Sequence, residues 1–208
     1  MKKIFLLCLC IIILIVAIPL TMALNTQKRT NGLASNPQKS NKSSETATTT
    51  SPQITSEDAG HIICEAMQYI DENSDKETKK AVIALCKNNY LFAKTTSNET
   101  LTSEITRYSD SLYEELEEIY ADTNITLLYK GDRVYIPLTK TTKGFTETDE
   151  NYPYITSIAS PWDVLSEDYR NNSDIGCGVS ISGIEYLCAN GADCKEALRW
   201  YLPYFEIT

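Results

Sequence analysis

From Thr55 onward, apolar residues recur with a helical period. Ala59, Ile62, Ile63, Ala66 and Ile70 form one stripe. It follows Thr55-Ser56-Glu57-Asp58, where a threonine three residues before an acid reads as a near capping box. Ser74 with Glu77 predicts a second helix start, and Ala81, Val82, Leu85, Cys86, Phe92 and Ala93 mark the buried side of a longer helix. A third helix is expected over roughly Ser109 to Tyr120. Its Leu112, Leu116, Ile119 and Tyr120 face inward, and Glu114, Glu115, Glu117 and Glu118 form a solvated face. The pattern then turns β-rich. Ile125 to Tyr129 and Arg133 to Leu138, separated by Lys130-Gly131-Asp132, predict a hairpin. Tyr154 to Ala159 is a third strand candidate, ended by Ser160-Pro161. A helix from about Ser182 to Asn190 stops at Gly191. Asp193 with Glu196 opens another, and the apolar tail from Tyr204 to Ile207 is suited to dock as a strand. Helices first, strands in the middle and helices last predict an α+β fold. The expectation is a single domain with N-terminal helices, a small antiparallel sheet and C-terminal helices.

The first residues follow a different logic. After Met1-Lys2-Lys3 the chain is uncharged from Ile4 to Leu24. Roughly 20 apolar residues suffice to cross a bilayer, so residues 1–24 are expected to be an uncleaved transmembrane anchor. Lys2 and Lys3 would keep the N-terminus cytoplasmic and place the rest outside the cell. A signal peptide cut after Thr21-Met22-Ala23, releasing a secreted protein, is the alternative. Residues 25–56 are rich in Ser, Thr, Asn, Gln and Lys with almost no large apolar side chain, the composition of a disordered tether. Residues 57–208 remain, enough for one domain with a real core.

The tether's charges are basic (Lys28, Arg29, Lys39, Lys42), which concentrates the formal net charge of −9 in the domain. An acidic domain excludes nucleic acid as a partner, because phosphate binding needs a basic face. The uncharged backbone of a wall glycan is not excluded. The domain holds five cysteines, Cys64, Cys86, Cys177, Cys188 and Cys194, so disulfides and buried thiols both stay open. There is no Gly-rich phosphate loop, no serine elbow and no metal-ligand cluster, and one histidine, His61. No cofactor and no metal are expected. Carboxylates are the remaining acid–base candidates. Glu65 stands at the flank of an apolar helix, where partial burial would raise its pKa and suit it to protonate a glycosidic oxygen; the stripe points about a third of a turn away, and an exposed helix glutamate is the alternative.

Four segments, in order, resemble the catalytic domain of the stage II sporulation protein D family. Gly60 to Met67 is similar to the family's helix turn ending in Glu-Met-Pro, with Glu65 at the catalytic acid. Glu77 through Lys87 is similar to its Ala-rich helix, with Lys87 at an arginine position. Thr141 to Glu147, followed by Tyr152-Pro153-Tyr154 and Ser160-Pro161-Trp162-Asp163, is the third segment, and its closing Ser-Pro-Trp-Asp is the most specific match. Gly176-Cys177-Gly178-Val179-Ser180, with Cys194 to Tyr201 behind it, is the fourth.

The resemblance implies a lytic transglycosylase that cleaves peptidoglycan glycan strands without water, with Glu65 as general acid. Thr142, Gly144, Thr146, Glu147 and Cys177 would line the substrate groove. The implied setting is spore formation and engulfment, with other cell-wall hydrolases or sporulation proteins as further partners. The chain departs from the family at several groove positions. Ala66-Met67 replaces Met-Pro, Thr142-Lys143 replaces Ser-Gly, Thr139 and Cys177 stand where the family has histidines, and Gly183 replaces a glutamine. A catalytically inactive relative that binds glycan or a wall-remodelling partner is the alternative.

Overall fold

In the computed structural model, residues 54–96, 109–170 and 176–208 are described, and they belong to one unit, Thr50–Thr208. The anchor at 1–24 and nearly all of the tether lie outside them. Among the described residues no helix is long and apolar enough to cross a membrane.

The architecture is α+β. Helix α1 (Ser56–Ala66) starts on the Thr55 capping box, Thr55 Oγ1 accepting from Asp58 N–H while Asp58 accepts from Thr55 N–H. Helix α2 (Lys76–Thr96) starts differently from expectation. Asp75, not Ser74, accepts from the first-turn N–H of Glu77 at 2.8 Å. Ser74 instead donates to Glu185 across the fold. The Glu77 carboxylate is taken by Lys80 at 2.6 Å and by the backbone N–H of Cys194 at 3.1 Å. Helix α3 (Asp110–Asp122) is capped by Ser109 and packs on α1 and α2.

Helix α2 buries more than a stripe. Ile83, Ala84, Tyr90 and Leu91 are buried beside Ala81, Val82, Leu85, Cys86 and Ala93, while Phe92 is only half-buried. One side joins Ile62, Ile63, Leu112 and Leu116 in a first core cluster, and the other joins Leu127, Ile136, Val179, Ile184 and Leu198 in a second. A helix apolar nearly all round belongs in the middle of a structure. Asp58 ties α1 to α2, accepting from Tyr90 at 2.6 Å and pairing with Lys94 at 2.7 Å. Its burial would raise the pKa, but the Lys94 ammonium and the Thr55 and Tyr90 donors outweigh that and hold the carboxyl well below its usual range.

The strands are short. β1 (Leu127–Tyr129) turns at Lys130-Gly131, both with positive φ, and Tyr129 and Asp132 exchange backbone bonds. This is the turn a hairpin needs, yet the expected hairpin ends there. β1 pairs instead with the tail, β4 (Phe205–Ile207), antiparallel, Leu127 opposite Ile207. The expected strand 133–138 is reduced to β2 (Leu138–Thr139), which pairs in parallel with β3 (Val179–Ser180). The sheet is therefore two two-stranded pieces, one of them parallel, rather than one antiparallel sheet. Residues 154–159 form no strand beyond one bridge, Phe145 to Ala159.

After a 3-10 helix (Pro161–Leu165) and the single turn α4 (Glu167–Arg170), the chain closes with α5 (Ile181–Ala189) and α6 (Cys194–Tyr201). Asp193 and Glu196 form the expected capping box. Gly183 is required on α5, because a Cβ there would overlap the Tyr201 hydroxyl.

Candidate functional site

The site is built from a stretch that carries no ladder. Residues 133–137 are held to α2 by two asparagines in its buried face. Asn89 donates to the Ile136 carbonyl at 2.7 Å and accepts the Ile136 N–H at 2.8 Å, replacing a strand partner with a side-chain amide. Asn88 donates to the Val134 carbonyl at 2.8 Å and accepts from Arg133. Between these anchors the Tyr135 ring packs against Phe92 (6.4 Å) and Tyr152 (5.5 Å). Tyr154 donates to the Tyr135 carbonyl at 2.7 Å. An aromatic wall results, with its backbone fixed on both sides.

Glu65 comes from the last turn of α1. Its side chain is partly buried, and burial lifts its pKa from 4.5 to about 7. Burial raises Cys86 well above an ordinary thiol, and the Glu65 charge adds to that. The Tyr135 hydroxyl is raised by burial first, then by Tyr152, Glu65, Cys86 and Cys177. Tyr135 is thus within electrostatic reach of both Glu65 and Cys177. The carboxyl is not in open solvent, and it holds its proton close to neutral pH.

Cys177 is positioned by the close approach of two loops. Gly178 has φ +93°, and a Cβ there would overlap the Pro137 backbone carbonyl, which accepts from Val179 N–H at 2.9 Å. Cys177 also bridges to Glu147, and its Sγ lies 3.9 Å from Asp149 Oδ2. Burial and then the Asp149 charge raise its pKa, so at neutral pH it is a thiol and a poor nucleophile.

Tyr135 feels the charges of both Glu65 and Cys177, and the exposed Glu147 is bridged to Cys177. Thr142 and Thr146 sit elsewhere in the scaffold. Both are buried: Thr142 donates to Asp163 Oδ2 at 2.6 Å, and Thr146 donates to the Thr156 carbonyl while accepting Ile158 N–H at 2.8 Å. Gly144 turns the chain at φ +96°, and its carbonyl accepts from Ser160 N–H. The Ser-Pro-Trp-Asp segment is likewise bonded inward. Ser160 and Trp162 both reach the Tyr201 hydroxyl, at 2.6 and 3.2 Å, and Asp163 Oδ1 is buried with no protein partner.

Tyr135, Tyr152 and Asp149 were not foreseen from the sequence. The available signal was Asn88-Asn89, two amides on a helix face otherwise apolar, which must bond something inside. Two concavities lie apart from this wall. One of about 410 Å³ runs along α1 from Ser56 to Cys64 against Tyr113. Another of about 250 Å³ is lined by Gln68, Asp71, Lys140, Asp168 and Glu185. Among the described residues no three His, Cys, Asp or Glu side chains are grouped to hold a metal, and the domain's five cysteines form no disulfide. No protein-family model matches the sequence, and no curated protein matches it.

Proposed function

We propose that this chain is a membrane-anchored, peptidoglycan-cleaving lytic transglycosylase of the stage II sporulation protein D type, acting outside the cell during spore engulfment. The observation that carries the proposal is the Glu65 carboxyl, partly buried on α1 within electrostatic reach of Tyr135, with a pKa of about 7. A carboxylic acid that keeps its proton near the working pH is what general acid catalysis of glycosidic cleavage requires. Glu65 donates its proton to the bridging oxygen as the bond to the anomeric carbon breaks. A hydroxyl of the same muramyl residue then closes on that carbon. Its proton returns to Glu65, leaving an anhydro sugar and no net consumption of water. One acid suffices. The aromatic wall of Tyr135 and Tyr152 supplies flat surface for sugar rings.

A second reading, a glycan-binding relative without activity, is favoured by one specific observation. The Thr142 and Thr146 hydroxyls are engaged in the scaffold and are not presented to a ligand.

Incubating the full-length chain with purified sacculi separates the two. Anhydro-muropeptides detected by mass spectrometry, and lost in Glu65→Gln, support the enzyme. Sacculus binding without any product, identical in wild type and Glu65→Gln, sinks it and leaves the binder.

A further inference from the structure

The surface around the 3-10 helix exposes side chains that normally go inside. Trp200 is 45% exposed, Tyr186 43%, Phe145 52% and Leu165 66%. Trp162 links two of them, stacked on Tyr186 at 5.0 Å with 5° between the planes and 5.5 Å from Trp200. Both indole N–H groups turn inward. Trp162 donates to the Tyr201 hydroxyl, and Trp200 donates to the Ala159 carbonyl at 2.9 Å. Phe145 joins the patch through its pairing with Ala159. The rings are held by their polar edges and leave much of their apolar surface in solvent. A contiguous exposed apolar patch of this kind marks a binding surface.

Charge narrows the ligand. The first 53 residues hold six of the nineteen Lys and Arg and one of the twenty-eight Asp and Glu, so residues 54–208 carry a formal −14. Such a domain is repelled by nucleic acid and by anionic lipid. Two cations nevertheless stand at the patch. Arg170 donates to the Leu165 carbonyl at 3.0 Å, and the exposed Lys143 stands two residues before Phe145, whose backbone bridges to Ala159. Among the described residues neither is in an ion pair. Neutral rings with apolar faces, carrying pendant carboxylates, match this combination. Sugar C–H groups meet the electron-rich ring faces, and Arg and Lys meet the carboxylates.

We propose that Tyr186, Trp162 and Trp200, rimmed by Lys143 and Arg170, form a second carbohydrate-binding surface, separate from the Glu65 wall, that holds N-acetylated, carboxylate-bearing glycan. The identity of the sugar rests on the function proposed above, while the surface itself makes no use of Glu65.

Trp162 and Trp200 are the chain's only tryptophans, so their emission reports on this patch directly. The full-length chain is titrated with an N-acetylglucosamine hexamer and, separately, pelleted with purified sacculi. The expected result is a saturable emission change with the hexamer. Its Kd rises at least tenfold in Tyr186→Ala, and the sacculus-bound fraction falls in parallel. Lys143→Glu with Arg170→Glu weakens sacculus binding but not hexamer binding. Trp200→Phe, which keeps a ring in place, gives an intermediate loss. Wild-type hexamer affinity in a Tyr186→Ala protein of unchanged circular dichroism and Tm overturns the proposal, even if Glu65-dependent cleavage is found. Emission that follows protein concentration or added phosphatidylglycerol vesicles, but not sugar, overturns it as well. Absence of cleavage by the wild type with hexamer binding intact sinks the first reading alone.

Discussion

A glutamate that titrates at about 7 leaves a mark on stability as well as on chemistry. In the unfolded chain the Glu65 carboxyl has its ordinary pKa of 4.5, and in the folded chain it keeps its proton to about 7. Between those values the folded state binds a proton that the unfolded state has released. The group's favourable contribution is therefore complete below about pH 4.5 and is lost as pH rises through 7. At 1.36 kcal/mol per pKa unit the loss is at most about 3 kcal/mol. Glu185, also raised by its burial, adds a fall of the same sign. Glu65→Gln should remove its own share: urea unfolding at pH 5 and pH 8 should show the wild-type decline flattened by ~1–3 kcal/mol in the variant. Equal declines in both would mean that the carboxyl is not shielded. Activity should follow the same titration, with kcat falling above pH 7 as the acid loses its proton. The shielding of Glu65 was only weakly legible in the sequence, because a residue that flanks the Ile62-Ile63-Ala66 stripe is more often left exposed on the helix surface. The fate of Thr142 and Thr146 was not legible. A threonine in a polar loop carries no sign of whether its hydroxyl faces a ligand or, as here, Asp163 and the Thr156 carbonyl.

Among the elements, local signals held where the partners stayed local, and Ser74, drawn away to Glu185, is the exception. The Thr55 and Asp193 capping boxes each bond within one turn, and the structure has both. The Lys130-Gly131 turn also formed, because two positive φ angles are a property of those two residues. The hairpin ladder beyond it failed because its competitor was distant in sequence. Asn89 satisfies the Ile136 backbone from α2, 47 residues away, and the tail takes the free edge of β1. Asn89 thus does a strand's work at a single point. Asn89→Ala should leave a buried N–H and a buried carbonyl of Ile136 unpaired, each costing about 1–3 kcal/mol, for a total loss of roughly 2–5 kcal/mol. It should also release Tyr135 from the Glu65 wall. The combined signature is a lowered Tm together with a Glu65 pKa closer to 4.5, followed by carboxyl-carbon NMR. A Tm drop with the Glu65 titration unchanged would mean that Tyr135 is held by its aromatic neighbours alone.

For the domain as a whole, α2 decides how the protein unfolds. Its Ile83 faces the cluster made with α1 and α3, and its Leu85 faces the cluster made with β1, β3, α5 and α6. Both side chains are fully buried. Two separate cores would melt separately if each had its own scaffold. Here one helix supplies residues to both, so neither cluster survives the loss of α2, and the domain should unfold as one cooperative unit. Ile83→Ala and Leu85→Ala should each lower global stability by about 2–5 kcal/mol, the usual cost of emptying a packed aliphatic site. The urea transitions followed by far-UV circular dichroism and by Trp162 and Trp200 emission should coincide in both variants. The tryptophans lie at the α5–α6 end of the molecule, far in sequence from Ile83, which makes their response to Ile83→Ala the sharper test. Amide exchange should be slowest along α2 from Ala81 to Tyr90, where opening requires the global transition. An Ile83→Ala protein whose tryptophan transition stays at the wild-type midpoint, while its helical signal falls early, would divide the domain into two independent halves and make α2 a boundary between them.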